Sequence, residues 1–447
     1  MTIDDIARFT SFYSHRIRKL TLERASGNEP PSEVFQALRN LNIGLIAPNL
    51  TCLRWYSEYL WEFEDVFSSI SLFLGSNLID IGIHIHPENS DHRNLVSTVA
   101  NKYPDLESLR ITFGSPSPPA DFWEEVTPTF QFNNLHSLII PHLSTTVLER
   151  LSRLPDLQDI YLSDFNFLVE VPRDLEGDKI RFPSLKELVV VTANFDMCFN
   201  LIPYLSPTSP LRRFSLTCAP LVPIAPSMRE WQQLLHLIGR HCNPDTLMRL
   251  ELQDSDYIDP DVLLPAPTSS LEGDIEKIDI EPLFAFKNLE ALELSFAYGL
   301  SLTKPDLQRI PSNWKSMTYM YLCSHYPSYR VPTINHEDVV ALVKACPKLW
   351  GLGVIFDTNQ IPETPTLLLE KPLKRFQRLK VGNSPIESVG VITKFLAMHF
   401  PRLAEVMPCG TVRQFPDSAE LSRKWSEVQE GLRDAILERR RARVVPN

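Results

Sequence analysis

The sequence YPDLESLRITF, residues 103–113, contains three apolar residues with the spacing LxxLxI, and this spacing decides the fold. Its last two apolar residues, Leu109 and Ile111, are two positions apart, so on a β-strand they lie on one face. Arg110, between them, points to the other face. One face of the strand is therefore predicted to be core, and the opposite face remains able to contact a ligand.

This spacing occurs fourteen times along the chain, about every 30 residues. Clear copies are GSNLIDIGIHI (75–85), FPSLKELVVV (182–191) and FKNLEALELSF (286–296). This pattern is the signature of a leucine-rich repeat, in which each unit contributes one short strand and one helix or irregular return. The first apolar residues of the fourteen copies are Ile17, Leu50, Leu78, Leu106, Leu135, Leu157, Leu185, Leu211, Leu247, Leu289, Met317, Leu349, Phe376 and Leu403.

Helical segments separate these copies. In residues 335–346, NHEDVVALVKAC, Asn335 is a suitable N-cap, two acidic residues follow it, and Pro347 comes just after the end. Similar segments are 144–154, 227–242 and 384–400. The alternation predicts an α/β leucine-rich-repeat solenoid of parallel strands. Strands pack about 4.8 Å apart and helices about 8–10 Å apart, so we expect a curved sheet on the concave side and helices on the convex side.

We predict one long domain with a cap at each end: an N-terminal helix at 1–16, the solenoid at 17–417, and a C-terminal helix with a basic tail at 418–447. An insertion at 254–281 has nine acidic residues against a single lysine. It is either a solvated loop or a flap that contacts a partner. The four arginines near the C-terminus are either a solvated helix end or a patch for nuclear import or an acidic partner.

Composition narrows the functional classes. The formal net charge of −11 over 447 residues disfavours a nucleic-acid partner, which requires a basic surface. The sequence has neither a run of about 18 apolar residues nor a secretory segment at its start, so we expect no membrane span and a location in the cytoplasm, the nucleus or both. Seven cysteines, an odd number without CxxC spacing, are expected to be reduced core residues. We expect a monomer.

No motif for catalysis, phosphate binding or cofactor binding is found, so we predict no enzyme activity and no cofactor. The nearest approach to a metal site is HIHPENSDH, with His84, His86 and His92. We interpret these histidines as polar residues of the concave face, because no further ligand follows at a suitable spacing. Gly351 and Gly353 are interpreted as residues that flatten the concave face.

The candidate binding residues alternate with the core positions of the strands. They combine both charges with tyrosine and arginine, which are enriched in protein-binding hot spots. We therefore predict a protein target on the concave face. The candidate residues are His84, Arg110, Asp159, Tyr161, Glu187, Arg213, Arg249, Glu251, Glu293, Tyr319, Tyr321, Arg378 and Lys380.

The segment ARFTSFYSHRIRKLTLE (7–23) and the irregular repeats that follow it resemble the leucine-rich-repeat region of F-box proteins from mushroom-forming fungi. The resemblance covers nearly the whole chain. It implies a substrate-recognition protein of a ubiquitin ligase, whose repeats bind the protein to be ubiquitinated. Residues 1–16 lack the LPxE-like opening of an F-box, so a Skp-type adaptor and a cullin are expected partners only if an F-box lies upstream.

Two alternatives to a ubiquitin-ligase receptor remain open. The first is a standalone repeat scaffold unconnected to ubiquitin, and the second is an enzyme on a repeat scaffold. A deep pocket with convergent titratable groups would favour the enzyme.

Overall fold

The computed structural model describes most of the chain. The described residues are 8–22, 37–40, 44–56, 69–86, 90–113, 122, 126, 130–141, 143, 145–163, 181–219, 226–254, 277–296, 299–300, 302–323, 331–362, 373, 375–409 and 417–444. Their contacts group the chain into two compact units, Met1–Val191 and Thr192–Asn447.

Parallel strands are the repeated element of both units. The strands of the first unit are β1 (Lys19–Leu22), β2 (Cys52–Trp55), β3 (Asp80–Ile85), β4 (Ser108–Phe113), β5 (Ser137–Ile140), β6 (Asp159–Leu162) and β7 (Glu187–Thr192), which runs one residue past the boundary. Those of the second unit are β8 (Arg213–Cys218), β9 (Arg249–Asp254), β10 (Ala291–Ser295), β11 (Tyr319–Tyr321), β12 (Gly351–Gly353), β13 (Arg378–Gly382) and β14 (Glu405–Pro408). Within each unit, each strand pairs in parallel with the next strand along the chain.

Helices lie between many of the strands. The described α-helices are α1 (Ser90–Lys102), α2 (Thr145–Leu151), α3 (Asp196–Leu201), α4 (Met228–His241), α5 (Lys304–Asn313), α6 (His336–Ala345), α7 (Val389–His399) and α8 (Ser418–Val444). Short 3₁₀ turns at Ser69–Phe73, Ile202–Tyr204 and Glu281–Ala285 take the place of a helix or extend one. The predicted α/β architecture of parallel strands with helical returns is confirmed.

The repeat spacing also locates the strands. Each of the fourteen described strands begins two residues after the first apolar residue of its copy, for example at Ser108 after Leu106 and at Ala291 after Leu289. The alternation within the strands is confirmed as well, since Leu109, Ile111 and Leu292 are at most 1% exposed. Leu188, Leu294 and Leu352, predicted in the same way, are also buried.

Local sequence fixes the helix starts. Ser227 caps α4: its hydroxyl accepts a hydrogen bond from the Glu230 backbone N–H, and the Glu230 carboxylate accepts from the Ser227 backbone N–H at 2.6 Å. Asn335 and Asp338 form the same reciprocal pair at the start of α6. Such capping boxes satisfy backbone donors that the first helical turn leaves unpaired. Helix α4 then buries Trp231, whose ring lies 4.3 Å from that of Phe296, which follows β10.

Helix α8 covers β14, the last described strand of the second unit. Trp425, Val428 and Leu432 on α8 are at most 1% exposed. The Trp425 indole N–H donates to the Ser384 carbonyl at 3.0 Å. The Gln429 side chain accepts from the Val406 backbone N–H at 2.5 Å and donates to the Ala404 carbonyl at 3.1 Å. The Gln429 amide therefore makes the two hydrogen bonds at the edge of the sheet that the backbone of a further strand would make.

At the N-terminal end, the predicted helix over 1–16 is described only from residue 8. The chain forms a π-helical turn at Phe9–Tyr13 and a 3₁₀ turn at Ser14–Arg16. Phe12 is 51% exposed, and the Arg16 guanidinium lies 4.1 Å from the centre of its ring. Most of the predicted acidic insertion, residues 255–276, lies outside the described residues, as do the side chains of the basic tail.

All seven cysteines are free and buried. Among the described helices, none is both long enough and apolar enough to cross a membrane.

Candidate functional site

The register of the second unit aligns outward-pointing residues into two rows across its strands. We call the sheet face opposite the leucine core the outer face. The first row there is Arg213, Arg249, Ala291, Tyr319, Gly351, Arg378 and Glu405. The second row is Ser215, Glu251, Glu293, Tyr321, Gly353, Lys380 and Met407. Eight of the predicted binding residues are therefore neighbours on one surface, although the chain separates them by up to 167 positions, from Arg213 to Lys380.

Aromatic rings and one guanidinium form a continuous stack at the middle of these rows. The ring centres of Tyr319 and Tyr321 are 4.1 Å apart, and Tyr319 stacks on Trp350 at 6.4 Å with an interplanar angle of 27°. The Arg378 guanidinium lies 4.8 Å from the centre of the Trp350 ring. Tyr319 and Trp350 are partly exposed, and Arg378 is exposed. We call these four residues the aromatic stack.

Two glycines of β12 make room for the tyrosine rings. A Cβ atom at Gly353 would lie 3.1 Å from the Cγ and Cδ1 atoms of Tyr321, and one at Gly351 would lie 3.4 Å from the Cδ2 atom of Tyr319. The rings therefore lean over β12 into space that a side chain would otherwise occupy. The interpretation that these glycines flatten a concave face stays a prediction, and the tyrosines of β11 occupy the space beside them.

Polar contacts hold the stack in position. The Tyr319 hydroxyl donates to the Glu293 carboxylate at 3.2 Å. The Arg378 guanidinium pairs with Glu405 at 2.7 Å, and further along the rows Arg213 pairs with Glu251 at 2.9 Å. Because these side chains already have partners, a ligand meets a surface whose conformation is largely set before binding.

Lys380 differs from its neighbours on the outer face. It is 3% exposed, its ammonium lies 5.5 Å from the centre of the Tyr321 ring, and its Nζ atom forms no hydrogen bond to any described residue. The hydroxyl of Tyr321, which is 5% exposed, also forms none. Burial raises the pKa of Tyr321 to about 12, so this phenol keeps its proton at neutral pH.

The first unit has its own outer face. Gly82 leaves room for the Tyr56 ring, since a Cβ atom there would lie 2.5 Å from the Tyr56 hydroxyl. The Arg110 guanidinium lies 6.0 Å from the centre of that ring. Asp159 and Glu187 are adjacent in register; partial burial and the nearby Glu187 carboxylate raise the pKa of Asp159. Tyr161 is 37% exposed on the same face.

The three histidines of HIHPENSDH come together, with ring centres 5.4 Å apart for His84 and His86 and 5.6 Å apart for His86 and His92. His84 and His92 are each 4% exposed, so both are buried, and His84 lies beside Thr112 on the outer face without being open to solvent. The His86 backbone N–H donates to Nδ1 of His92 at 2.8 Å, and Nδ1 of His84 lies 3.0 Å from the Thr112 hydroxyl. Within the described ranges, no group of three or more His, Cys, Asp or Glu residues could hold a metal ion.

These histidines predict that acid destabilises the protein. Burial, with help from the neighbouring histidines, lowers the pKa of His84 to about 4 and that of His92 to about 3. Both values lie below the value of about 6.5 in the unfolded chain, so the unfolded state binds more protons at acidic pH. Stability is then complete above pH ~6.5 and falls as the pH drops towards 4, by roughly 2–3 kcal/mol for each histidine.

Urea denaturation at a series of pH values tests this expectation. The double variant His84→Asn, His92→Gln should lose less stability between neutral pH and pH ~4 than the wild type. His236, exposed on α4, provides the matched control, and His236→Gln should keep the wild-type pH dependence. An unchanged pH dependence in the double variant would contradict the neutral buried histidines.

A cleft of about 470 Å³ lies in the first unit. It is bordered by the ends of α1 and α2 and by residues 130–133. Arg150 is the one titratable residue among its described lining residues. The cleft therefore lacks the convergent titratable groups that would indicate acid–base chemistry.

Sequence reasoning predicted three of the four residues of the aromatic stack and missed Trp350. Trp350 precedes β12 and has the parity of a core position, so the alternation rule did not select it. The signal available was a tryptophan directly before two alternating glycines, LWGLG, because a strand whose outward positions lack side chains leaves free surface on which an aromatic ring can lie.

No protein-family model matches the chain, and no curated protein matches it. Among solved structures, the chain is similar to the crystal structure of the Rad7 and Elc1 complex in yeast, with 11% sequence identity and a TM-score of 0.39. The similarity covers 92% of this chain and 82% of that chain.

Proposed function

We propose that the chain is a non-enzymatic protein-binding scaffold and that the outer face of its second unit holds the partner at the aromatic stack. The observation that supports this proposal is the stack itself: Tyr321, Tyr319, Trp350 and Arg378 are in continuous contact, and all of them except the buried Tyr321 are open or partly open to solvent. Tryptophan, tyrosine and arginine are the residues that most often dominate the energy of protein interfaces.

The setting of the stack favours a protein ligand. Its residues come from short strands whose cores are fully packed, so the scaffold supplies rigidity while the outer face supplies the contacts. Charged residues lie in the rows on both sides of the stack, with Glu251 and Glu293 towards β9 and β10 and Glu405 on β14. A polar rim around an aromatic centre is the usual composition of a protein interface.

A test of this function compares partners captured by the wild type and by variants of the stack. Proximity labelling in the organism's own cells should identify proteins that the wild type enriches and that Trp350→Ala does not. Purified partner should then bind Trp350→Ala at least ~30-fold more weakly, because a hot spot contributes about 2 kcal/mol or more. Val331, which is 84% exposed, supplies the control variant Val331→Ala, which should bind normally.

If Trp350→Ala and Arg378→Ala are folded and retain every partner at wild-type affinity, the aromatic stack is not the binding surface.

The resemblance to the repeat region of fungal F-box proteins supports a finer proposal, that the bound protein is a substrate for ubiquitination. A standalone scaffold remains the alternative. A pull-down of the product of the endogenous locus separates them: a Skp-type adaptor and a cullin in the eluate support the ligase receptor, and their absence beside a verified protein partner supports the standalone scaffold.

A further inference from the structure

Lys380 lies in an unusual environment for a lysine. Its side chain belongs to the second outer row yet is 3% exposed, and its ammonium lies 5.5 Å from the centre of the Tyr321 ring. In the described part of the chain, Nζ has neither a hydrogen-bond acceptor nor an ion-pair partner. Buried lysines are almost always paired, because an uncompensated ammonium away from water is costly.

The described thiols near Lys380 do not supply a negative charge. Cys323 is close enough for its thiol to lie 3.8 Å from the Lys380 carbonyl oxygen. Burial raises the pKa of Cys323 to about 12 and that of Cys409 to about 11, although the Lys380 ammonium opposes both shifts. Both thiols are therefore neutral at physiological pH.

The carboxylates of the outer face are already occupied. Glu293, which is next to Tyr321 in register, accepts a hydrogen bond from the Tyr319 hydroxyl. Glu405 forms an ion pair with Arg378. Among the described residues, the Tyr321 hydroxyl likewise has no acceptor. Two buried donors, one charged and one neutral, thus lie on either side of Gly353 in the second row, and no described group uses their hydrogen-bonding capacity.

The backbone of β13 is irregular at this place. The register with β14 shifts between Lys380 and Gly382, so a bulge lies directly after Lys380. Gly382 has a φ of 57°, and a Cβ atom there would lie 2.8 Å from Cγ1 of Ile355. Both conditions require glycine. Bulges occur where a strand directs a side chain towards a site, and here the side chain affected is Lys380.

We propose that Lys380 and Tyr321 form a receptor for an oxyanion carried by the partner protein, an inference that rests on the proposed protein-binding function. The chemistry required is that of a carboxylate or a phosphate group, which accepts hydrogen bonds from the ammonium and the phenol together and neutralises the lysine. The ammonium stands at the end of a flexible four-carbon stem, so it can reach the ligand by a rotamer change without movement of β13.

The receptor lies beside the aromatic stack, because Tyr321 belongs to both. A partner segment that places an aromatic or aliphatic side chain on Tyr319 and Trp350 would bring a neighbouring acidic or phosphorylated residue to Lys380. The partner expected is therefore a protein with an acidic or phosphorylated residue next to its apolar contact residue.

Thermal denaturation of the full chain with acetate and with inorganic phosphate as probes tests the receptor, with chloride used to keep the ionic strength constant. The wild type should gain about 1–3 °C in Tm from at least one probe. Acetate identifies a carboxylate receptor, and phosphate without acetate identifies a phosphate receptor. Lys380→Met should melt higher than the wild type without probe, because the unpaired ammonium is gone, and should not respond to either probe.

Two further variants make the test specific. Tyr321→Phe should keep a smaller response, since it removes one donor but retains the ring. Lys344→Met, which removes an exposed lysine in the last turn of α6, should respond as the wild type does. The inference is overturned if the wild type responds to neither probe, or if Lys380→Met responds equally.

Binding of the partner itself distinguishes the inference from the function on which it rests. Loss of affinity in both Trp350→Ala and Lys380→Met supports both. Loss in Trp350→Ala with full affinity in Lys380→Met refutes the oxyanion receptor and leaves the protein-binding surface intact. Full affinity in both variants refutes both.

Discussion

Leu292→Asp should unfold the second unit. Leu292 is completely buried in the middle of β10, in register with Leu250 on one side and Met320 on the other. The substitution removes the packing of a leucine, which costs about 2–5 kcal/mol, and places a carboxylate where no partner can compensate it. The combined loss of about 5 kcal/mol or more approaches the whole stability of many proteins.

The matched control lies one residue away. Ala291 points to the outer face between Arg249 and Tyr319, so Ala291→Asp introduces the same charge without burying it in the core. Its free energy of unfolding should remain within about 1 kcal/mol of the wild type. Circular dichroism with urea measures both variants, and a wild-type midpoint for Leu292→Asp would contradict the assignment of the two faces.

Trp425→Ala should detach α8 from the second unit. The Trp425 ring is fully buried, 6.5 Å from the Phe356 ring, and its N–H satisfies the Ser384 carbonyl. Removal of a buried tryptophan costs about 3–5 kcal/mol, and the carbonyl left without a donor costs about 1 kcal/mol more. The Ser384 hydroxyl also accepts a hydrogen bond from the Phe356 backbone N–H at 3.0 Å, so the loss extends to Phe356, three residues after the end of β12.

Hydrogen exchange gives the clearest measurement of this second variant. The amides of α8 and β14 should exchange much faster in Trp425→Ala, because both lose the contact that protects them. Glu430→Ala, an exposed position on the same helix, should leave exchange unchanged. Protection of α8 equal to that of the wild type would show that Trp425 does not anchor the helix.

The strands were predictable because their cause is local. Apolar residues two positions apart lie on one face of a short strand, and that face is buried only when a neighbouring repeat packs beside it. The sequence therefore predicts that Leu109, Leu188 and Leu292 are core residues. The helix starts at Asn335 and Ser227 are also predictable from the sequence, because a helix start depends on the three or four residues around it.

The details of the candidate site depend on distances that a linear pattern does not contain. Alternation placed Tyr321 and Lys380 on the outer face correctly, but it did not show that both are buried there. That burial arises where Tyr321 leans over Gly353 and the Lys380 ammonium lies 5.5 Å from the centre of the Tyr321 ring. Trp350 does not follow the alternation of core and outward residues. It belongs to the stack because it contacts Tyr319, in the strand before β12, and Arg378, in the strand after it.

The amide of Gln429 also bears on how long such an array can become. A sheet of parallel strands does not limit its own length. Its last strand always leaves a row of unpaired backbone donors and acceptors to which a further strand can bind. At β14 the N–H of Val406 and the carbonyl of Ala404, just before the strand, are taken by one side chain. A strand from a second molecule would have to displace that amide before it could add, so Gln429 protects this edge against end-to-end polymerisation.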